Sequence, residues 1–186
     1  MKVKETNLSG CFVIDPTVFE DDRGCFFESF NKKVFLQETG LNLDFVQNNI
    51  SVSKKGVVRG LHMQKGAHAQ AKLVEVIKGV ALDVVVDVRT DSETFGESFA
   101  CIISEENKRQ IFIPKGFLHG FTSLEEDTIL SYKCDAYYNK NAEIGVRYDD
   151  EDLGIDWKMN PEEIELSEKD KGLGSFSDLK KILFHK

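Results

Sequence analysis

Along the chain, apolar and polar residues alternate in short runs rather than recurring at helical spacing. Runs rich in Val, Ile, Phe and Tyr are separated by Gly, Asn and Asp, the punctuation of antiparallel strands joined by turns. The pattern predicts strands near Cys11–Ile14, Cys25–Phe30, Phe45–Val52, Val57–Gln64, Lys72–Ile77, Ala81–Val88 and Glu97–Ser104. Further strands are expected near Arg109–Ile113, Gly120–Leu124, Ile129–Cys134 and Gly145–Tyr148. Helical periodicity is confined to Lys32–Glu38, with Asn31 as N-cap and Gly40 past its end, and to Asp178–Phe184, capped by Ser177. The three prolines, Pro16, Pro114 and Pro161, fall at strand edges or turns. The expectation is a mainly β sandwich or barrel with one or two short helices, in a single domain over 1–186.

The segment Val80–Val88 shows what alternation leaves open. Its even positions are all apolar, whereas Asp83 and Asp87 share the other face with Ala81 and Val85. A partly polar lumen gives this pattern, and so does a solvated outer face; on alternation alone the solvated face is the simpler reading.

Composition narrows the class. With 41% hydrophobic and 30% charged residues, 186 residues suffice for a sizeable core. The net charge of -8 argues against nucleic-acid binding, which draws on an excess of Lys and Arg. No stretch approaches the apolar length of a membrane span, and the segment MKVKETNLSG lacks the apolar run of a signal peptide, so a cytoplasmic location is expected. Cys11, Cys25, Cys101 and Cys134 are scattered without CxxC pairing and read as buried reduced thiols.

Two segments carry candidate chemistry. Val57–Gln64 places Arg59 and His62 in one apolar strand, where strict alternation sends them to opposite faces; Gly60 between them marks a candidate bulge that re-aims the side chains beyond it. Read alone, a strand histidine is more often structural than catalytic. Ile113–Gly120 contains Pro114, Gly116 and His119 in the PxGxxH spacing of the second cupin motif, in which a turn presents the histidine to a barrel interior. Metal-binding cupins also require an HxH pair in the first motif. Here that position reads His62-Met63-Gln64, and His68 is too far along to replace the missing ligand. No metal is expected.

Several motifs, in order, resemble the dTDP-4-dehydrorhamnose 3,5-epimerases. They begin with Asp22-Arg23-Gly24, Phe26-Phe27-Glu28 and Val46-Gln47-Asn48-Asn49, followed by Arg59-Gly60-Leu61-His62-Met63-Gln64 and Gln70-Ala71-Lys72-Leu73-Val74. Thr94-Phe95-Gly96, Glu106-Asn107-Lys108-Arg109-Gln110 and the Pro114–Gly120 segment continue the match. Tyr132-Lys133, Tyr137-Tyr138, Gly154-Ile155-Asp156-Trp157 and Leu166-Ser167-Glu168-Lys169-Asp170 complete it. One such motif is weak; the ordered series over about residues 10 to 170 is specific. Departures include Met63 in place of a common aromatic, Ser131 before the tyrosine, and the Gly172–Phe176 ending.

The resemblance implies a cupin-like jelly roll, usually a homodimer, acting without a cofactor on a dTDP-linked 4-keto-6-deoxyhexose. Epimerisation beside a ketone needs a base, a cation at the C4 oxygen, and an acid on the opposite face. The family pattern assigns these to His62 paired with Asp170, to Lys72 held by Asp83, and to Tyr132. It assigns diphosphate binding to Arg23, Arg59, His119 and Lys169. Glu28, Gln47, Asn48, Asn49 and Glu143 fall at nucleotide- or sugar-contacting positions, and Tyr138 at the platform for the base. Arg23 and Glu28, in the N-terminal strands of about 1–45, are expected to reach a neighbouring subunit. Without the family, Tyr132 reads as core, Lys72 as an edge lysine and Asp170 as part of a solvated charged run. A 3-epimerase acting at one carbon, an isomerase of another 4-keto nucleotide sugar and a non-catalytic sugar- or nucleotide-binding cupin remain as alternatives.

Overall fold

The computed structural model describes residues 1–184; positions 185 and 186 of the expected C-terminal tail (160–186) lie outside the described residues. In chain order the strands are β1 (Lys2–Glu5), β2 (Phe12–Asp15), β3 (Val18–Asp21), β4 (Gly24–Phe27), β5 (Gln47–Ser53), β6 (Val58–Gln64) and β7 (Lys72–Lys78). There follow β8 (Val80–Asp87), β9 (Ser98–Ser104), β10 (Gln110–Ile113), β11 (Phe117–Ser123), β12 (Thr128–Cys134) and β13 (Glu143–Gly145). Helices are α1 (Lys32–Thr39), α2 (Glu168–Lys171) and α3 (Phe176–Phe184).

Two antiparallel sheets face each other. One has the order β1-β2-β10-β7-β12-β5, the other β13-β6-β11-β8-β9, and β3 and β4 form a separate hairpin. This is the cupin-like jelly roll that the sequence led us to expect. Between the sheets lie Val74, Ile111 and Leu130 from the first and Ala81, Val85, Ile103 and Phe121 from the second. The outer face of the second sheet is also covered. Leu82, Val84 and Val86 pack there against Val146, Trp157, Phe176 and Leu179 of the C-terminal region. Burying each such side chain contributes about 1.5–3 kcal/mol, so anchors on both sides fix the stretch between Trp157 and Phe176. That stretch carries Asp170.

Covering both faces of β8 overturns the solvated reading of its aspartates. Asp83 and Asp87 are both fully buried. Asp87 accepts hydrogen bonds from Arg89, Ser92 and Thr94 at the strand end. Burial alone would raise its pKa, but these donors, Arg89 above all, hold it down at about 2. Asp83 points into the lumen.

The expected helix α1 forms as read, with the Asn31 side chain accepting from Lys33 N and Val34 N and Gly40 left-handed at φ 73°. Other boundaries differ. The helix α3 starts at Phe176 rather than Asp178, and its cap is Ser175, whose Oγ accepts from Asp178 N at 3.1 Å. Strand β11 begins at Phe117, three residues before the expected Gly120, and β13 covers Glu143–Gly145 instead of Gly145–Tyr148. Strands β1 and β3 and helix α2 were not anticipated. Of the thiols, all free, Cys11 and Cys134 are buried as expected, but Cys101 is half-buried and Cys25 is exposed on the isolated hairpin. Among the described residues no helix is long and apolar enough to cross a membrane.

Candidate active site

The site begins with an irregularity in β6. Across the β6–β11 pair His62 faces His119, and Arg59 faces Phe121, so β6 holds one residue more than β11 between these pairs. That extra residue is the expected bulge, and it brings Arg59 and His62 to the lining of one cavity. Gly60 is required there: its φ is 126°, and a Cβ would stand 2.6 Å from Gly120 Cα and 2.8 Å from the His119 carbonyl oxygen. A second glycine supports His62 from β13. Gly145 pairs with His62, and a Cβ on it would come within 3.0 Å of the imidazole Cδ2.

His62 Nε2 lies 2.7 Å from Asp170 Oδ1, with the histidine side chain 22% and the aspartate 6% exposed. It is a close histidine–carboxylate contact rather than a well-aligned hydrogen bond, and neither atom has a hydrogen-bond partner among the described residues. Asp170 is therefore not in a solvated run. Ser167 caps α2, accepting from Asp170 N at 3.1 Å and donating to Asp170 Oδ2 at 2.7 Å, which leaves Oδ1 for the imidazole. Burial pushes the Asp170 carboxyl up, but the contacts with His62 and Ser167 outweigh it and hold the pKa below the ordinary value.

The cavity, about 450 Å³, is further lined by Asn49, Lys72, His119, Tyr132, Glu143 and Lys169. An adjoining cavity of about 310 Å³ shares His62, Lys72, Tyr132 and Glu143 and adds Gln47, Gln64, Gln70 and Tyr138. Lys72 opens β7, and its Nζ sits 5.8 Å from the centre of the Tyr132 ring. Burial pushes the Lys72 pKa down, opposed by Cys134 and by the carboxylates of Asp83 and Glu143. Burial also raises the Tyr132 phenol, which thus stays protonated at neutral pH.

Two expectations, those for Asp83 and Asn48, need correction. Asp83 does not hold Lys72; its Oδ2 is 2.8 Å from His119 Nε2, because Asp83 and His119 project into the lumen from adjacent strands β8 and β11. Asn48 is turned out of the site, since alternation along β5 exposes it and points Gln47 and Asn49 inward. Arg23 and Glu28 do not line this chain's cavity. Arg23 pairs with Asp21 in the β3–β4 hairpin, and Glu28 accepts from Asn31.

The remaining candidates are placed at the site. Arg59 donates to Ser53 Oγ at 3.2 Å, and Lys169 pairs with Glu143. Burial works to raise the Glu143 pKa, but Lys169 and His62 bring it below the usual range. Sequence reasoning missed Ser167, Gly145, Gln64 and Gln70. The Ser-x-x-Asp spacing of a helix cap was the available signal for Ser167; nothing local marked Gly145.

Fold and site together define a cupin-like sandwich whose cavity presents a histidine–carboxylate pair, an ammonium and a phenol. Among the described residues no three His, Cys, Asp or Glu side chains converge as a metal would require. Residues 5–178 match the family model described as dTDP-4-dehydrorhamnose 3,5-epimerase. The enzyme of that name from Methanothermobacter thermautotrophicus is 46% identical, over 90% of each chain. The crystal structure of dTDP-4-dehydrorhamnose 3,5-epimerase from Elizabethkingia anophelis NUHP1 superposes with a TM-score of 0.92 at 53% identity, covering 96% of this chain and 97% of that one. A dTDP-6-deoxy-D-glucose-3,5-epimerase from Legionella pneumophila, in complex with dTDP-4-keto-L-rhamnose, gives a TM-score of 0.93 at 41% identity, covering 98% and 96%. The chain belongs to the dTDP-4-dehydrorhamnose 3,5-epimerase family, and it is an isomerase.

Proposed function

We propose that this chain inverts C3 and C5 of dTDP-4-dehydro-6-deoxy-D-glucose, giving dTDP-4-dehydro-L-rhamnose in the cytoplasmic route to dTDP-L-rhamnose. The observation that carries the reading is the His62–Asp170 contact of 2.7 Å on the wall of a cavity that also holds Lys72 and Tyr132. The ring nitrogen of His62 not held by Asp170 takes the proton from the carbon beside the ketone. The C–H electron pair moves into an enolate, and the Lys72 ammonium stabilises the charge that develops on the C4 oxygen. Asp170 stabilises the imidazolium formed. Tyr132 delivers a proton to the opposite face, which inverts the carbon, and the two proton carriers are reset by exchange with solvent. No cofactor is needed, because protons are moved and no electrons are gained or lost.

Arg59, His119 and Lys169 supply positive or donor groups for the diphosphate, with Asn49 and Glu143 at the sugar and Tyr138 beneath the base. Arg23 and Glu28, on and beside the isolated hairpin, line neither of the two cavities around His62 in their own chain. In a homodimer the hairpin delivers them to the partner's cavity.

Incubation with dTDP-4-dehydro-6-deoxy-D-glucose in deuterium oxide, followed by NMR, tests the reading. Deuterium at both C3 and C5, unaffected by a chelator, is expected. Label at C3 alone would limit the enzyme to one carbon, and label at neither would leave a binding protein. The His62→Ala variant should lose exchange at both carbons by about a thousandfold or more. Near wild-type exchange in that variant would remove His62 as the base.

A further inference from the structure

Tyr138 sits in a segment without regular structure, Asp135–Asn139, between β12 and the 3-10 turn at Lys140–Ala142. Backbone groups in such a segment need partners, and here three glutamine side chains supply them. Gln70 Nε2 donates to the Ala136 carbonyl at 2.7 Å. Gln47 Oε1 accepts from Tyr138 N, and Gln64 Oε1 from Asn139 N, both at 2.9 Å. The glutamines come from β5, from β6 and from the loop before β7. All three line the smaller cavity beside Tyr138.

We propose that Gln64 and Gln70, with Gln47, form a clasp that sets the position of the Tyr138 ring, and so the affinity for the nucleotide base; they are positioning residues. The inference rests on the nucleoside diphosphate reading above. Gln47 commits one donor of its Nε2 to Asn49 Oδ1 at 2.9 Å and one lone pair of its Oε1 to Tyr138 N, so part of its amide is engaged in holding the loop. To its expected role as a direct contact is added one of support. The amide is the suitable group at these positions. Gln70 must donate to a carbonyl, which a carboxylate cannot do. Gln64 is only 5% exposed and lines the same cavity as Glu143, so a carboxylate there would bury a negative charge beside the one that Glu143 already brings. A half-exposed aromatic ring on a loose loop would have to be ordered on binding, and the clasp removes that requirement beforehand.

The test is calorimetric titration of the full-length protein with dTDP, for the wild type, Gln64→Met, Gln70→Met, Tyr138→Ala and each glutamine variant combined with Tyr138→Ala. Each glutamine substitution should weaken Kd roughly tenfold, about the value of one hydrogen bond, and raise KM in step while kcat changes less than about threefold. In the Tyr138→Ala background the same substitutions should cost less than about twofold, because they act through a ring that is no longer present. Equal penalties in both backgrounds, an unchanged Kd, or a loss confined to kcat would overturn the clasp. Gln70→Met, at a half-exposed position, carries the test if Gln64→Met melts too low to titrate. Failure of the wild type to bind dTDP would instead overturn the nucleotide reading itself and the clasp with it.

Discussion

Two histidine–aspartate pairs stand side by side in this molecule, and they differ in almost everything except distance. His62 and His119 are register partners across β6 and β11. Their ring nitrogens lie 2.7 Å and 2.8 Å from Asp170 and Asp83. The His119–Asp83 pair joins adjacent strands of one sheet and is almost wholly enclosed, at 7% and 0% exposure. The His62–Asp170 pair joins a strand to a C-terminal helix far along the chain, and its imidazole remains partly open to the cavity. Burial pushes the His119 pKa down despite the opposing pull of Asp83, with Lys72 and His62 adding to the effect. A neutral, enclosed imidazole suits a fixed donor or acceptor. An open imidazole backed by a carboxylate suits a base that is protonated once per turnover.

The sharpest way to break this comparison is to remove each aspartate–histidine contact and ask which property fails. Asp170→Asn should lower kcat by about a hundredfold while changing unfolding stability by less than about 1 kcal/mol. His119→Leu should do the reverse in emphasis. It leaves the Asp83 carboxylate buried without its partner, so urea denaturation should show a loss of about 3 kcal/mol. Should Asp170→Asn unfold more readily than His119→Leu, the division of labour would be wrong. A smaller effect is expected one step further out. Ser167→Ala removes the donor on Asp170 Oδ2 and should reduce kcat by roughly tenfold, since one charge-assisted hydrogen bond is at stake. It should also move the acid limb of the kcat–pH profile upward, because the Asp170 carboxylate loses a group that lowers its pKa. Ser167→Thr, which keeps the hydroxyl, should restore both; a profile unmoved by Ser167→Ala would reduce Ser167 to a helix cap.

The two pairs were also unequally legible. His62 lies in an apolar, alternating strand, and the Gly60 irregularity that aims it was visible as a glycine interrupting that strand. Asp170 was not visible from local pattern. In the charged run Glu168-Lys169-Asp170-Lys171 it has the composition of a solvated loop, and only the docking of Trp157 and Phe176 on the outer sheet face buries it. Its role came from the family resemblance. Asp83 was misread twice, first as solvent-facing and then as a partner for Lys72, because alternation identifies the face of a strand but not what covers it or which neighbour projects beside it. The central strands were readable from their β-branched residues. The short polar ones, such as β1 with its sequence Lys2-Val3-Lys4-Glu5 and β13 with Glu143-Ile144-Gly145, carry too little apolar pattern to register.

The smallest expected effect separates the pairs by pH. The folded pKa of His119 lies below its ordinary value of 6.5, so just below pH 6.5 the unfolded chain binds a proton that the native chain refuses. Stability is therefore full above 6.5 and declines as pH falls through that window. Asp170 is also depressed, but from 3.8, so its contribution persists to lower pH and is lost only as pH falls below 3.8 toward the folded value. Urea midpoints measured from pH 8 to pH 5 thus isolate the enclosed pair. The wild type should weaken across this range, and Asp170→Asn should weaken in parallel with it. The double variant Asp83→Asn/His119→Asn, which keeps two polar groups in place but removes the titrating ring, should weaken less. An identical decline in the double variant would show that His119 binds its proton equally well in both states, and the enclosed pair would lose its claim to be held neutral by burial.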